Sequence, residues 1–151
     1  MMISVNFEDL PGRVGQELGR SEWVTLSQQR IAAFADAIGD HQWIHVDPER
    51  AKAGPFGTTI AHGFLTLSLI PQFIATVVAI RNTRLAVNYG LNRVRFTAPV
   101  PVDSRLRGAV QLLACEPVEG PGLQLTWQVT VEREGGDKPV CIAEFLTRCY
   151  A

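Results

Sequence analysis

TTIAHGFLTLSLIPQFIATVVAI, residues 58–80, is the stretch on which the fold turns. Phe64, Leu65, Leu67, Leu69, Ile70, Phe73, Ile74, Val77 and Val78 leave it without a clear polar stripe, and a helix apolar nearly all round is a buried one. The sequence predicts one helix capped by Thr58 or Thr59, running to about Ile80 and kinked at Pro71. Thr66, Ser68, Pro71 and Gln72 interrupt the apolar run, so it reads as a core helix and not as a membrane span.

Beyond residue 82 the pattern changes to alternation, β-branched residues and turn residues. Strands are expected near 84–96, 104–117, 123–134 and 139–149, with turns at 100–103, 120–122 and 135–137. Upstream, residues 6–10 lead into a Pro11-Gly12 turn, and 19–26 read as a strand. Ser27 then caps a helix through Ile38, which Gly39 ends; Ile31, Phe34, Ala35 and Ile38 share one of its faces. GDHQWIHV, residues 39–46, reads as irregular, and Asp47-Pro48-Glu49 opens a short helix that stops near Gly54-Pro55. Helices grouped early and strands grouped late predict an α+β fold, with one buried helix and an antiparallel sheet of about five strands covering each other's apolar faces.

The length of 151 residues suits a single domain over 1–151, and 46% apolar residues supply its core. Fourteen basic residues face 15 acidic ones, which argues against a broad basic face for nucleic acid. Cys115, Cys141 and Cys149 form no CxxC pair and read as buried thiols in a reducing cytoplasm. The opening MMISVNFEDLPGRVGQEL carries acidic residues and no apolar run, unlike a signal peptide. A cytoplasmic protein with no membrane partner is the expectation.

The chemistry-bearing segment is residues 39–68, which hold all three histidines, His41, His45 and His62, with Asp40 and Asp47. Asp40 and His45 lie five apart just after a helix end. A carboxylate and an imidazole facing a common point can hold one water and take its proton at neutral pH. Taken alone, the spacing equally fits a turn-stabilising aspartate and a satisfied histidine. Gly63 lies in the first turn of the buried helix, where N–H groups have no partner and no side chain blocks a ligand carbonyl, so it is a candidate oxyanion donor or a site of close packing. The i, i+4 pair His41/His45 with Asp40 or Asp47 is a weak metal pattern, and no metal is expected. Arg93 and Arg95 alternate around Val94 and present either a solvated face or a phosphate contact. Trp43 and Phe56 are candidates to line an acyl pocket, or to be core.

Asp40-His41-Gln42-Trp43-Ile44-His45-Val46-Asp47, followed by Ile60-Ala61-His62-Gly63-Phe64, resembles the MaoC-like hydratases, the (R)-specific or type-2 enoyl-CoA hydratases, whose motif is Asp-x-Asn-Pro-Ile/Leu-His with a later His-Gly opening a long helix. Residues 95–107, RFTAPVPVDSRLR, resemble that family's strand-turn-strand signature, and the likeness covers about residues 13–149. Gln42-Trp43 in place of Asn-Pro resembles the nodulation-protein-N-like branch. A serine often found further along the family's helix falls at Pro71 here. The resemblance implies a hotdog fold, an antiparallel sheet wrapped around one long buried helix, and a homodimer whose sheets join. It implies reversible hydration of trans-2-enoyl-CoA, or of an acyl carrier protein thioester, to the (R)-3-hydroxyacyl form, without a cofactor. Asp40, His45 and Gly63 would be catalytic, with Gln42, Trp43, Phe56, His62, Arg93 and Arg95 around the substrate. A hotdog acyl-CoA thioesterase and a non-catalytic acyl-CoA-binding subunit are the alternatives.

Overall fold

From the N-terminus, a computed structural model describing residues 2–151 shows a strand that the sequence reading did not anticipate, β1 (Ile3–Asn6), and then a 3-10 helix over Phe7–Arg13 where a lead-in and turn were expected. The strand expected at 19–26 is two strands, β2 (Glu17–Arg20) and β3 (Val24–Leu26), both paired with the same neighbour. They part at Ser21, whose N–H donates to the Gly108 carbonyl and whose Oγ accepts from the Gly108 N–H, each at 2.9 Å. Helix α1 (Gln28–Ile38) follows the expected bounds, with the Ser27 side chain accepting from the Arg30 N–H. Residues 43–46, read as irregular, form one helical turn, α2 (Trp43–Val46), ahead of α3 (Pro48–Lys52).

The central helix begins later and ends sooner than its apolar composition predicts. It comprises α4 (Gly63–Ser68) and α5 (Ile70–Val77), joined at Leu69, with Pro71 in the first turn of α5, where its missing N–H costs nothing. Thr58 and Thr59 do not cap it; His62 occupies the cap position with no side-chain hydrogen bond. At the other end the β-branched Val78 and Ile80 leave the helix for strand β4 (Val78–Arg81), which pairs in parallel with β1. Pairing with Ile3–Asn6 satisfies backbone groups that a longer helix would have kept for itself.

Four long strands complete the chain: β5 (Leu85–Arg95), β6 (Ser104–Val118), β7 (Gly122–Arg133) and β8 (Cys141–Tyr150). The sheet runs β2-β6-β7-β8-β5 with β3 beside β6, and its pairings are antiparallel. Period-two burial is plain in β6, where Leu106, Val110 and Leu112 turn inward between exposed or half-buried neighbours. They meet Leu65, Leu69, Ile70, Phe73 and Val77 of the central helix and Leu125, Trp127, Val129 and Val131 of β7 in one core. Trp127 Nε1–H donates to Thr147 Oγ1 at 2.9 Å, so burying its indole leaves no donor unpaired. The three cysteines are free, Cys141 and Cys149 are buried and Cys115 half-buried, and burial pushes the Cys141 thiol up to about 11. No helix among the described residues is long and apolar enough to cross a membrane.

Candidate active site

The excursion from α1 to α4 is where the chain leaves regular structure, and its turns are dictated residue by residue. Gly39 ends α1 in the left-handed region, φ 78°, and donates its N–H to the Ala35 carbonyl at 2.8 Å. The reversal brings Asp40 back across the helix end, and its Oδ1 accepts from the Gln42 N–H at 3.3 Å. The helical turn α2 then carries His45 inward. The Ile60 N–H donates to the Ile44 carbonyl at 3.0 Å, which locks the later loop against this turn.

His45 is 6% exposed and its Nδ1 lies 2.8 Å from the Ile60 carbonyl. A carbonyl only accepts, so Nδ1 carries the proton and Nε2 keeps its lone pair. The backbone behind it is braced: Gln28 Nε2 donates to the His45 carbonyl at 2.7 Å, and Thr59 Oγ1 donates to Gln28 Oε1 at 2.5 Å. Burial pushes the His45 pKa below its ordinary 6.5; the Ile60 carbonyl opposes the shift, nearby His62 adds to it, and Asp40 opposes it. The ring is therefore neutral at pH 7.

His62, 3% exposed, stacks on His45 with ring centroids 3.8 Å apart and planes inclined by 20°. Its Nε2–H donates to the Asp40 backbone carbonyl at 3.0 Å, and Phe34 meets its ring edge-on at 5.1 Å. Asp40, His45 and His62 thus each bring one polar atom to within 4.8 Å of the others. A metal ion binds an imidazole along its in-plane lone pair. Two stacked, nearly parallel rings do not aim those lone pairs at one point, so this cluster suits proton handling better than ion ligation. His41 stands apart, exposed and paired through Nε2 with Asp36 Oδ1 at 2.8 Å.

Gly63 begins α4 beside this cluster, and a Cβ there would meet the Phe96 ring at 2.9 Å. The close approach leaves room only for glycine. A groove of about 380 Å³ opens here, lined among others by Phe56, Ile60, Ala61, Gly63, Thr66 and Phe96. Gln42 is exposed. Trp43 packs outside the groove lining, under the Arg50 guanidinium at 4.4 Å from the ring centroid and against Gly54. Arg93 and Arg95 line a second depression of about 400 Å³ with Gln128, Ile142 and Glu144, and Thr97 is common to both hollows. The sequence reading missed Gln28, the Ile60 carbonyl, Thr66 and Phe96. Phe96 alone had a signal, lying in the RFTAPVPVDSRLR stretch; a glutamine in a first helical turn and a backbone carbonyl carry no mark of their own.

A carboxylate and a neutral imidazole, backed by a braced loop and beside a groove bordered by Gly63, form an arrangement able to hold and move a proton. The chain belongs to the MaoC-like domain family, which matches it over residues 9–133, and has that family's hotdog fold and hydratase/dehydratase character. It is 53% identical over 143 residues to 3-hydroxyacyl-thioester dehydratase Z of Mycobacterium tuberculosis, covering 95% of each chain. It is 48% identical over 148 residues to nodulation protein N of Rhizobium leguminosarum bv. viciae, covering 97% of this chain and 92% of that one. Among solved structures, the unliganded R-hydratase PhaJ1 from Pseudomonas aeruginosa aligns with a TM-score of 0.67 at 26% identity, over 87% of this chain and 81% of that one.

Proposed function

We propose that this chain adds water reversibly to trans-2-enoyl-CoA to give (R)-3-hydroxyacyl-CoA. The observation that carries the reading is the pinned ring of His45, whose Nδ1–H is held by Ile60 and one of whose ring nitrogens lies within 4.8 Å of an Asp40 carboxylate oxygen. Asp40 and His45 hold one water between them. His45 Nε2 takes a proton as the water oxygen bonds to Cβ, the π electrons move through Cα onto the thioester oxygen, and the pair returns a proton to Cα as the carbonyl re-forms. Dehydration, the direction in the name of the mycobacterial relative, is the same path reversed. The Gly63 N–H receives the oxygen as it gains charge; one such donor contributes about 3 kcal/mol to the transition state.

His62 steadies Asp40 through its backbone. Gln42 borders the site, and Trp43 braces Gly54 and so the segment that presents Phe56 to the acyl chain. Arg93 and Arg95 receive phosphates of the carrier, and an acyl carrier protein, with its phosphopantetheine arm, is the other carrier that fits such a contact. The enzyme acts as a homodimer whose sheets join along the free edge of β5, where Leu85, Val87, Tyr89 and Leu91 are exposed. Sedimentation should give twice the 16.6 kDa chain mass, and a monomer at micromolar concentration would exclude the joined sheet.

The activity is tested with crotonyl-CoA. Hydration consumes the enoyl absorbance and yields the (R)-3-hydroxy product on chiral analysis, with no thiol released. Free thiol without hydration would make the protein a thioesterase, and tight binding with neither reaction would make it a non-catalytic acyl-CoA-binding subunit.

A further inference from the structure

Among the described residues, two buried side-chain polar atoms have no hydrogen-bond partner: Nδ1 of His62 and Oγ1 of Thr66. His62 belongs to the site already described. The Thr66 N–H donates to the His62 carbonyl at 3.3 Å, but its hydroxyl makes no described contact with Asp40, His45 or His62, and the residue is 1% exposed. A buried hydroxyl left unpaired is costly, and a native fold that keeps one commonly uses it.

Within the helix it is left without a partner. A helical threonine ordinarily bonds to the carbonyl one turn back. Here that carbonyl, of His62, already accepts the N–H groups of Leu65 at 3.0 Å and Thr66 at 3.3 Å. The neighbouring hydroxyls do bond back: Ser68 Oγ donates to the Leu65 carbonyl at 2.8 Å and Thr76 Oγ1 to the Phe73 carbonyl at 3.0 Å. Thr66 instead lines the groove it shares with Gly63, between the apolar walls of Ile60, Val100 and Phe96.

We propose that Thr66 is a substrate-contacting residue, its Oγ1–H donating to the thioester oxygen of the acyl group lying in this groove. The proposal takes the substrate's identity from the hydration reading above. The thioester oxygen is an acceptor in both the enoyl and the hydroxyacyl form, and it attracts a donor more strongly as enolate charge develops. The contact therefore shows in kcat more than in KM.

Thr66→Val removes the hydroxyl and keeps the shape; Thr66→Ser keeps the hydroxyl. With crotonyl-CoA the valine variant should lose about tenfold or more in kcat, the cost of one substrate hydrogen bond left unmade, with KM within about threefold. Its thermal midpoint should equal or exceed that of the parent, because an unpaired buried hydroxyl is gone. The serine variant should stay within about threefold of the parent in kcat. Undiminished kcat in the valine variant overturns the proposal. So does a loss shared by the serine variant and accompanied by a lower midpoint, which is a packing effect. If the parent protein does not hydrate crotonyl-CoA, the hydration reading fails separately, and calorimetric binding of butyryl-CoA decides Thr66 alone: weaker binding in the valine variant upholds the contact and equal binding removes it.

Discussion

Strands β6 to β8 and the excursion between α1 and α4 pack on the same core but are held by different kinds of interaction. In the strands a long ladder, shifted in register once between Leu112 and Ala114, sets the inward residues Leu106, Val110, Leu125, Val129 and Ala143 to one task, so each is supported by many neighbours. In the excursion each contact stands alone. Gln28 holds the His45 carbonyl, Ile60 holds the His45 ring, and His62 holds the Asp40 carbonyl. The difference teaches where activity is vulnerable: the sheet and helix fix stability through redundant packing, whereas the geometry of the dyad hangs on a few single hydrogen bonds.

The largest separation of the two regions is expected from Phe73→Ala. Phe73 is fully buried between helix and sheet, and its truncation should remove about 3–5 kcal/mol of stability in urea unfolding. Activity per folded molecule should hold, since the excursion is not its neighbour. Loss of turnover in the folded fraction would show that the regions are coupled more tightly than their contacts indicate.

Gln28→Ala should do the reverse. It frees the His45 carbonyl and the Thr59 hydroxyl, at a cost of about 1–2 kcal/mol in stability for the lost bonds. Turnover should fall about tenfold as the imidazole loses its alignment. A variant as active as the parent would show that Ile60 alone orients the ring.

The smallest effect is in the pH profile. The folded-state pKa of His45 lies below the ordinary 6.5, chiefly because the ring is buried. Its contribution to stability is thus fully present above 6.5 and is lost as pH falls through the lowered value, because the unfolded chain takes up the proton first. The proposed mechanism uses the same neutral ring, so the acid limb of kcat/KM should lie below 6.5. An acid limb above that value would mean that Asp40 outweighs burial in setting the charge.

This contrast also governs what was legible in the sequence. The buried helix, the late strands and α1 could be read because each repeats its signal over many residues. The ends of the central helix could not. Thr59 gives its hydroxyl to Gln28 and caps nothing, and Val78–Arg81 is drawn into a strand by β1, which lies far away in sequence. Asp40, His45, His62 and Gly63 were legible as a group from their residue types and spacing. What aligns them was not, because the Ile60 and Asp40 contacts run through backbone carbonyls that every residue possesses. Trp43 read as acyl-pocket lining or as core; the structure packs it beneath Arg50 and against Gly54, an arrangement that depends on how α2 and α3 fold onto each other.

The most direct test of the account is the hydration rate of Asp40→Asn and His45→Gln beside the parent protein, with thermal unfolding recorded on each. The account predicts that both variants stay folded and that each loses about two to four orders of magnitude in kcat for crotonyl-CoA, the range that positioned acid–base groups supply. A folded variant of either residue turning over at the parent rate would contradict it.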